Sequence, residues 1–370
     1  MREITGAVIE RSGSPVVIET LRLADPLPGE MLVRMTAAGV CHSDLHVRDG
    51  DWVRSGPVVM GHEGAGVVEA VGPGLDPSVV GQSVALSWLA PCLRCRECQR
   101  GRQWLCVGSP AYRHAGVDGT PRLSRADGTP VLSYLSIGTM STAQVVPASA
   151  VVVMPDGVPA EVAALIGCGV STGVGAVVKT AQVRPGDTVA VIGLGGVGLS
   201  CVMGAVLAGA RRIVAVDISR TKLDLAGSIG ATHAVLADPA SPEATIEGIR
   251  AAAGDGGPDF VFEAIGNPAT VAQAIAVLPP GGTAVLVGLT RFGQQASFEV
   301  FPFVDGGRRI IGSNYGSAVA AVDFPAYAEA YLAGHLPIDR LIDRRLALPE
   351  LEDAFDRLRA GTVARQVIIF

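Results

Sequence analysis

Between Thr188 and Ser313 short apolar runs alternate with stretches of helical period, and no other feature narrows the fold as much. "TVAVI", "RIVAVD", "THAVLA", "DFVFEAIG", "GTAVLVG" and "RRIIGS" supply six runs, separated by segments such as "GVGLSCVMGAVLAG" and "PEATIEGIRAAAG". Strands joined through helices predict a doubly wound, six-stranded parallel sheet with helices on its faces. The series opens with a charge-free segment, Thr188 to Ala210, whose 23 residues would span a bilayer by length. It holds six glycines, four of them within Gly193 to Gly198, which predicts a strand, a tight turn and a buried helix instead.

That turn reads "VIGLGGVG". Gly193, Gly195 and Gly198 have the G-x-G-x-x-G spacing, directly after a strand and at the start of an apolar helix. Gly193 permits the sharp turn, Gly195 lets a pyrophosphate approach the backbone, and Gly198 lets helix and strand pack closely. Free N–H groups and the dipole at the helix start then favour the phosphates. Asp217 ends the next strand, 24 residues after Gly193. An acid there accepts hydrogen bonds from ribose hydroxyls and repels a 2′-phosphate, which predicts NAD over NADP. Lys222 follows closely as a second ribose candidate, with a solvated helix lysine as the plain alternative.

The first 170 residues have another texture. "EMLVRMTAAGV", "GAGVVEAVG" and "GQSVALSWLA" are short apolar runs punctuated by Gly and Pro, the pattern of a β-rich barrel or sandwich. Residues 111–135 are polar and Gly/Pro-bearing and read as a long surface loop. A chain of 370 residues is long for one core, so two domains are expected. The net charge of −6, with scattered arginines, argues against nucleic acid as a partner. The N-terminal "MREITGAVIERSG" lacks the basic-then-apolar layout of a signal peptide, so a cytoplasmic protein without a membrane partner is expected.

In a reducing compartment disulfides are rare, so clustered cysteines read as metal ligands. Cys92, Cys95, Cys98 and Cys106 follow C-x2-C-x2-C-x7-C. Four thiolates with no vacancy describe a structural zinc; an iron–sulfur cluster is the rival, although the spacing fits neither common cluster pattern. A second, dispersed group comprises "GVCHSDLH", "GHEGAG" and "IGCGVSTG". Spacing alone does not unite it. Taken together, Cys41, His62 and Cys168 would make a Cys2His set with an open fourth position, the catalytic type of zinc site.

In this order, "CHSD", "GHEGAG", the four-cysteine lobe, "GCGVSTG", "GLGGVG" and the ribose acid make the whole chain resemble the zinc-dependent medium-chain dehydrogenases, the alcohol dehydrogenase family. The resemblance implies a GroES-like catalytic domain from residues 1–169 and 313–370, with the zinc lobe at about 90–110, and a Rossmann domain at 170–312. It implies two zinc ions per chain, catalytic on Cys41, His62 and Cys168 and structural on Cys92, Cys95, Cys98 and Cys106. By the same resemblance Ser43 passes the alcohol proton towards the nicotinamide ribose and His46 hands it to solvent, while Asp44 and Glu63 support the zinc site. Cofactor contacts fall to His42, Thr172, Gly193, Gly195, Gly196, Val197, Gly198, Asp217, Lys222 and Arg365, and Trp88 and Leu289 line the substrate pocket.

For water, such a zinc lowers the pKa from ~15.7 to ~7, roughly 12 kcal/mol, whereas one positioned acid or base is worth about 3–5 kcal/mol. The metal therefore dominates and the proton relay refines. The expected reaction is reversible hydride transfer between a primary alcohol, aromatic or medium-chain, and NAD, in a homodimer. Dehydrogenases of S-(hydroxymethyl) thiol adducts are the alternative. They typically carry Tyr where this chain has His46, and an Asp near Trp52, where only Asp51 is close.

Overall fold

Polar, Gly- and Pro-bearing turns separate the apolar runs in the N-terminal part and let short strands fold back on one another. The computed structural model describes residues 1–53, 56–254 and 256–370, and the chain divides into two compact units. Unit 1 holds Met1–Cys168, Val319–Gly334 and Ile342–Phe370; unit 2 holds Gly169–Ala318 and His335–Leu341.

Unit 1 begins with β1 (Arg2–Ile9), β2 (Val17–Leu23), β3 (Glu30–Val40), β4 (Val58–Val59), β5 (Glu63–Val71) and β6 (Ser83–Leu86). It continues with β7 (Leu123–Ser124), β8 (Pro130–Ser133), β9 (Ala143–Pro147) and β10 (Val151–Val153). Strands β1, β2, β7, β8 and β4 close a barrel. Its interior shows the two-residue period expected of half-buried strands: Leu21 and Leu23 are buried while Arg22 between them is exposed. The expected surface loop at 111–135 is corrected here. Residues 123–124 and 130–133 are barrel strands, and Leu123 and Val131 are core residues. Polar, Gly-rich flanks hid two strands too short to show a period.

Unit 2 carries β11 (Thr188–Ile192), β12 (Arg212–Asp217), β13 (His233–Leu236), β14 (Phe260–Glu263), β15 (Thr283–Leu286) and β16 (Arg309–Gly312). All pairings are parallel, in the order β13-β12-β11-β14-β15-β16, as the alternation predicts. Every residue of β11 is buried, as befits a central strand covered on both faces. The charge-free segment is β11, a turn and the helix Gly196–Leu207. The segment His335–Leu341 joins this unit, and Arg340 donates to the Ser228 carbonyl (2.9 Å).

The chain returns to unit 1 with β17 (Ile342–Leu346), the helix Leu351–Arg359 and β18 (Arg365–Ile369). Strand β18 pairs antiparallel with β3, which also pairs with β5, so both chain ends build one sheet. This layering sets Glu63 on β5, Gly39 on β3 and Val367 on β18 in register.

Candidate functional site

The segment "VCHSDLH" leaves β3 and becomes a helix because Cys41 is extended and Asp44, at the third helical position, reaches back to cap it. The Asp44 carboxylate accepts the Cys41 backbone N–H through Oδ2 (3.2 Å) and the His62 ring N–H at Nδ1 through Oδ1 (2.9 Å). Asp44 is fully buried, so one side chain both starts the helix His42–Asp49 and fixes the orientation of His62. With Nδ1 committed to Asp44, Nε2 is the nitrogen left for a ligand, and it is buried without a hydrogen-bond partner among the described residues. Tyr134 packs edge-on to the same ring, with centroids 5.8 Å apart.

Cys168 lies in a π-helical turn, Ile166–Val170, a geometry that recurs at functional sites. Gly167 lets this turn approach β6: a Cβ there would stand 2.7 Å from the Leu86 carbonyl. The outcome is a group in which ligand atoms of Cys41, His62, Glu63 and Cys168 all lie within 4.8 Å of one another. The three ligands expected from the sequence thus meet, although they are 21 and 106 residues apart in the chain. Glu63, expected as a supporting group, belongs to the same cluster. One of its oxygens is ion-paired with Arg365, and Oε1 is buried and without a partner. Gly39 makes this pair possible, since a Cβ there would collide with the Glu63 carboxylate. Arg365, expected as a cofactor contact, is 4% exposed and held by Glu63.

The electrostatics suit a cation. A hydrogen bond with Cys168, opposed by burial and aided by the charges of His62 and Arg365, holds the Cys41 thiol well below its usual range. Burial works against a charge on His62, yet the charges of Asp44 and Cys41 outweigh it and push the imidazole up to about 10. Burial raises the Asp44 carboxyl, against the pull of His62. Two sulfurs and an orphaned imidazole nitrogen form a donor set that a divalent metal would satisfy by displacing protons. The residues fit zinc.

The second group is complete as well. Ligand atoms of Cys92, Cys95, Cys98 and Cys106 lie within 4.8 Å of one another, and none of the four is in a disulfide. Backbone N–H groups serve the sulfurs: Cys95 is lowered to about 6, first by the N–H of Cys98, and Cys92 N donates to Cys106 Sγ at 3.2 Å. Burial instead pushes Cys98 up to about 12. From residue 92 to 108 only Cys98 and Cys106 are buried, so this lobe has no apolar core of its own. Four converging sulfurs without such a core fit a tetrahedral metal in place of one.

In unit 2 the glycine turn behaves as its spacing predicts. Gly193 has φ +92°, a Cβ on Gly195 would meet nothing within 4 Å, and one on Gly198 would collide with the Gly193 carbonyl. Gly195 therefore leaves the helix start open to a ligand, with Gly196 and Val197 forming its first turn. Gly198→Ala is expected to cost about 1–3 kcal/mol and to weaken NADH binding, measured by chemical denaturation and cofactor fluorescence. Asp217 closes the turn: Oδ2 accepts from Leu194 N (2.7 Å) and Oδ1 from Ser219 N (2.9 Å). Each oxygen keeps a lone pair for a ribose hydroxyl. Lys222 and Thr172 are partly exposed, and Leu289 is 62% exposed.

On the helix His42–Asp49, His42 is exposed, and Ser43 and His46 stand three residues apart, hence on one face. Trp88 packs against the core formed by Val33, Met35, Val68 and Leu86. Sequence reasoning missed one contact: His46 Nδ1 lies 2.9 Å from Asp51 Oδ2, with the Trp52 ring stacked on the imidazole at 4.8 Å. The only sequence signal for it is Gly50, which ends the helix and folds the chain back.

Residues 27–156 match the alcohol dehydrogenase GroES-like domain, and residues 196–332 match the zinc-binding dehydrogenase family. The S-(hydroxymethyl)glutathione dehydrogenase of Paracoccus denitrificans is 34% identical over 373 residues, covering 98% of this chain and 99% of its own. The alcohol dehydrogenase zinc-binding domain protein from Burkholderia ambifaria superposes with a TM-score of 0.94 at 35% identity, covering 100% of this chain and 99% of its own. Benzyl alcohol dehydrogenase from Acinetobacter calcoaceticus gives a TM-score of 0.89 at 30% identity over 100% of both chains.

Proposed function

The chain belongs to the zinc-dependent alcohol dehydrogenases, with a GroES-like domain and a Rossmann domain, and on that premise we propose how its own residues serve the reaction. The enzyme is an NAD-dependent alcohol oxidoreductase. Cys41, His62 and Cys168 would hold the zinc, which when bound would supply Lewis acidity to the alcohol oxygen, with bound NAD as the hydride acceptor. The convergence of Cys41, His62 and Cys168 in one buried cluster is the observation that carries this reading.

Asp44 holds the His62 ring so that Nε2 stays a ligand nitrogen. Arg365 holds Glu63 by its ion pair and keeps a neutralising charge beside the ligand set. Ser43 takes the alcohol proton at its hydroxyl oxygen, and His46 carries it to solvent from its partly exposed position. Gly195 to Gly198 receive the pyrophosphate at the helix start, Asp217 binds the ribose hydroxyls, and His42, Thr172 and Lys222 add contacts. Trp88 and Leu289 border the alcohol.

The substrate we favour is a primary alcohol, aromatic or medium-chain, because the benzyl alcohol dehydrogenase shares the whole fold and His46 departs from the thiol-adduct pattern. The Paracoccus relative, named for S-(hydroxymethyl)glutathione, keeps the second reading open to a direct comparison. A substrate panel on zinc-replete protein tests both: turnover of benzyl and medium-chain alcohols with NAD, and formaldehyde turnover with no gain from added low-molecular-weight thiol. A thiol requirement would reverse the order of the two readings. In the same assay Asp217→Ala should lose about tenfold of its preference for NAD over NADP.

We further propose a homodimer. Strand β16 is a sheet edge, and Val300, Phe301 and Val304 on the adjacent helix Val300–Asp305 are 64%, 76% and 71% exposed. An open edge beside an apolar face is commonly covered by a second copy. The protein is soluble, and cysteines gathered as metal ligands rather than in disulfides suit the reducing cytoplasm in which we place it.

A further inference from the structure

We propose that Asp51 is a positioning residue for His46, fixing the imidazole with its proton on Nδ1 so that Nε2 is the nitrogen that takes up and releases the reaction's proton. The proposal rests on the reading of His46 as the outer member of the proton relay. Three features build the arrangement. Gly50 ends the helix in the left-handed region (φ 86°), and the chain then doubles back, with the backbone N–H groups of Asp51 and Trp52 both donating to the His46 carbonyl (2.9 and 3.2 Å). That turn sets the Asp51 carboxylate 2.9 Å from His46 Nδ1. A carboxylate only accepts, so Nδ1 is the donor.

The second feature is the lid over the ring. Trp52 stacks on the imidazole with a 26° interplanar angle, and its own carbonyl is held by the Ser12 hydroxyl (2.9 Å). The ring therefore has one flat face covered and one nitrogen engaged. Among the described residues Nε2 makes no hydrogen bond, and the side chain is 26% exposed. The third feature is that the other charged groups of this helix are engaged elsewhere. Arg48 pairs with Glu352 (2.9 Å), Asp49 with Arg359 (2.6 Å) and Asp44 with His62 (2.9 Å). Asp51 is thus the acid that sets the His46 tautomer, as a carboxylate does for many histidines that must present one nitrogen.

Asp51→Ala, Asp51→Glu, His46→Ala and the double variant separate positioning from a merely structural role. Asp51→Ala is expected to lower kcat about tenfold while zinc content and NADH affinity stay at wild-type values, and Asp51→Glu to recover most of the loss. In the His46→Ala background, removing Asp51 should change kcat less than about twofold, because the two act as one unit. Nitrogen-15 NMR of histidine-labelled holoenzyme at alkaline pH should show His46 protonated on Nδ1, shifting toward Nε2 in Asp51→Ala. Additive effects in the double variant, or an unchanged tautomer, would overturn the proposal. A wild-type kcat in His46→Ala, with the His46 Nδ1–H signal present in the unsubstituted enzyme, would instead remove the relay reading beneath it.

Discussion

Cys168→Ala should yield a folded protein with one zinc ion per chain instead of two and alcohol oxidation lowered on the order of 10⁴-fold or more. The size follows from what the metal contributes: roughly 12 kcal/mol of differential stabilisation when zinc acts on water, against about 3–5 kcal/mol for a proton relay. Cys168 sits in a short π-helical turn and is not a cap or a large core side chain, so its loss acts mainly through the ligand set. Metal analysis of the purified variant, beside steady-state rates and circular dichroism, checks the expectation. Substantial turnover with a single zinc per chain would show that the chemistry does not depend on this cluster.

Cys106→Ser produces the other large effect, and it falls on stability. Cys106 is completely buried, and Cys98 is the one other buried residue between residues 92 and 108. A lobe with so little apolar burial has its folding free energy in the metal–thiolate bonds. The variant should lose about 4 kcal/mol or more and become sensitive to protease within residues 92–110, while retaining the zinc at Cys41, His62 and Cys168. Thermal denaturation and limited proteolysis read this directly. Wild-type resistance in the variant would mean that the lobe folds without its ion.

Much of this was legible before any coordinates because the strongest signals are local. The six parallel strands each carry a continuous apolar run, and the glycine turn is fixed by three residues whose missing side chains do different jobs: positive φ at Gly193, open approach at Gly195 and helix contact at Gly198. The four-cysteine lobe is equally local. Long-range features were harder. Cys41, His62 and Cys168 are united only by the meeting of β3, β5 and a π-helical turn, and only the family resemblance tied them together beforehand. Strands β7 and β8 were missed because two- and four-residue strands show no periodicity. The Asp51–His46 contact depends on one left-handed glycine, and the Glu63–Arg365 pair joins residues 302 apart on the two strands that flank β3.

The double engagement of Asp44 ties metal occupancy to the order of a whole segment. Its two oxygens serve the N–H of Cys41, which caps the helix His42–Asp49, and the ring of a ligand, so neither contact can be given up without disturbing the other. Whatever binds at His62 and Cys41 is therefore bound, in effect, by that helix as well, and part of its affinity is spent on ordering Ser43 and His46. Apoprotein and holoprotein would then differ not only by an ion but by how firmly the proton path is assembled before any alcohol arrives.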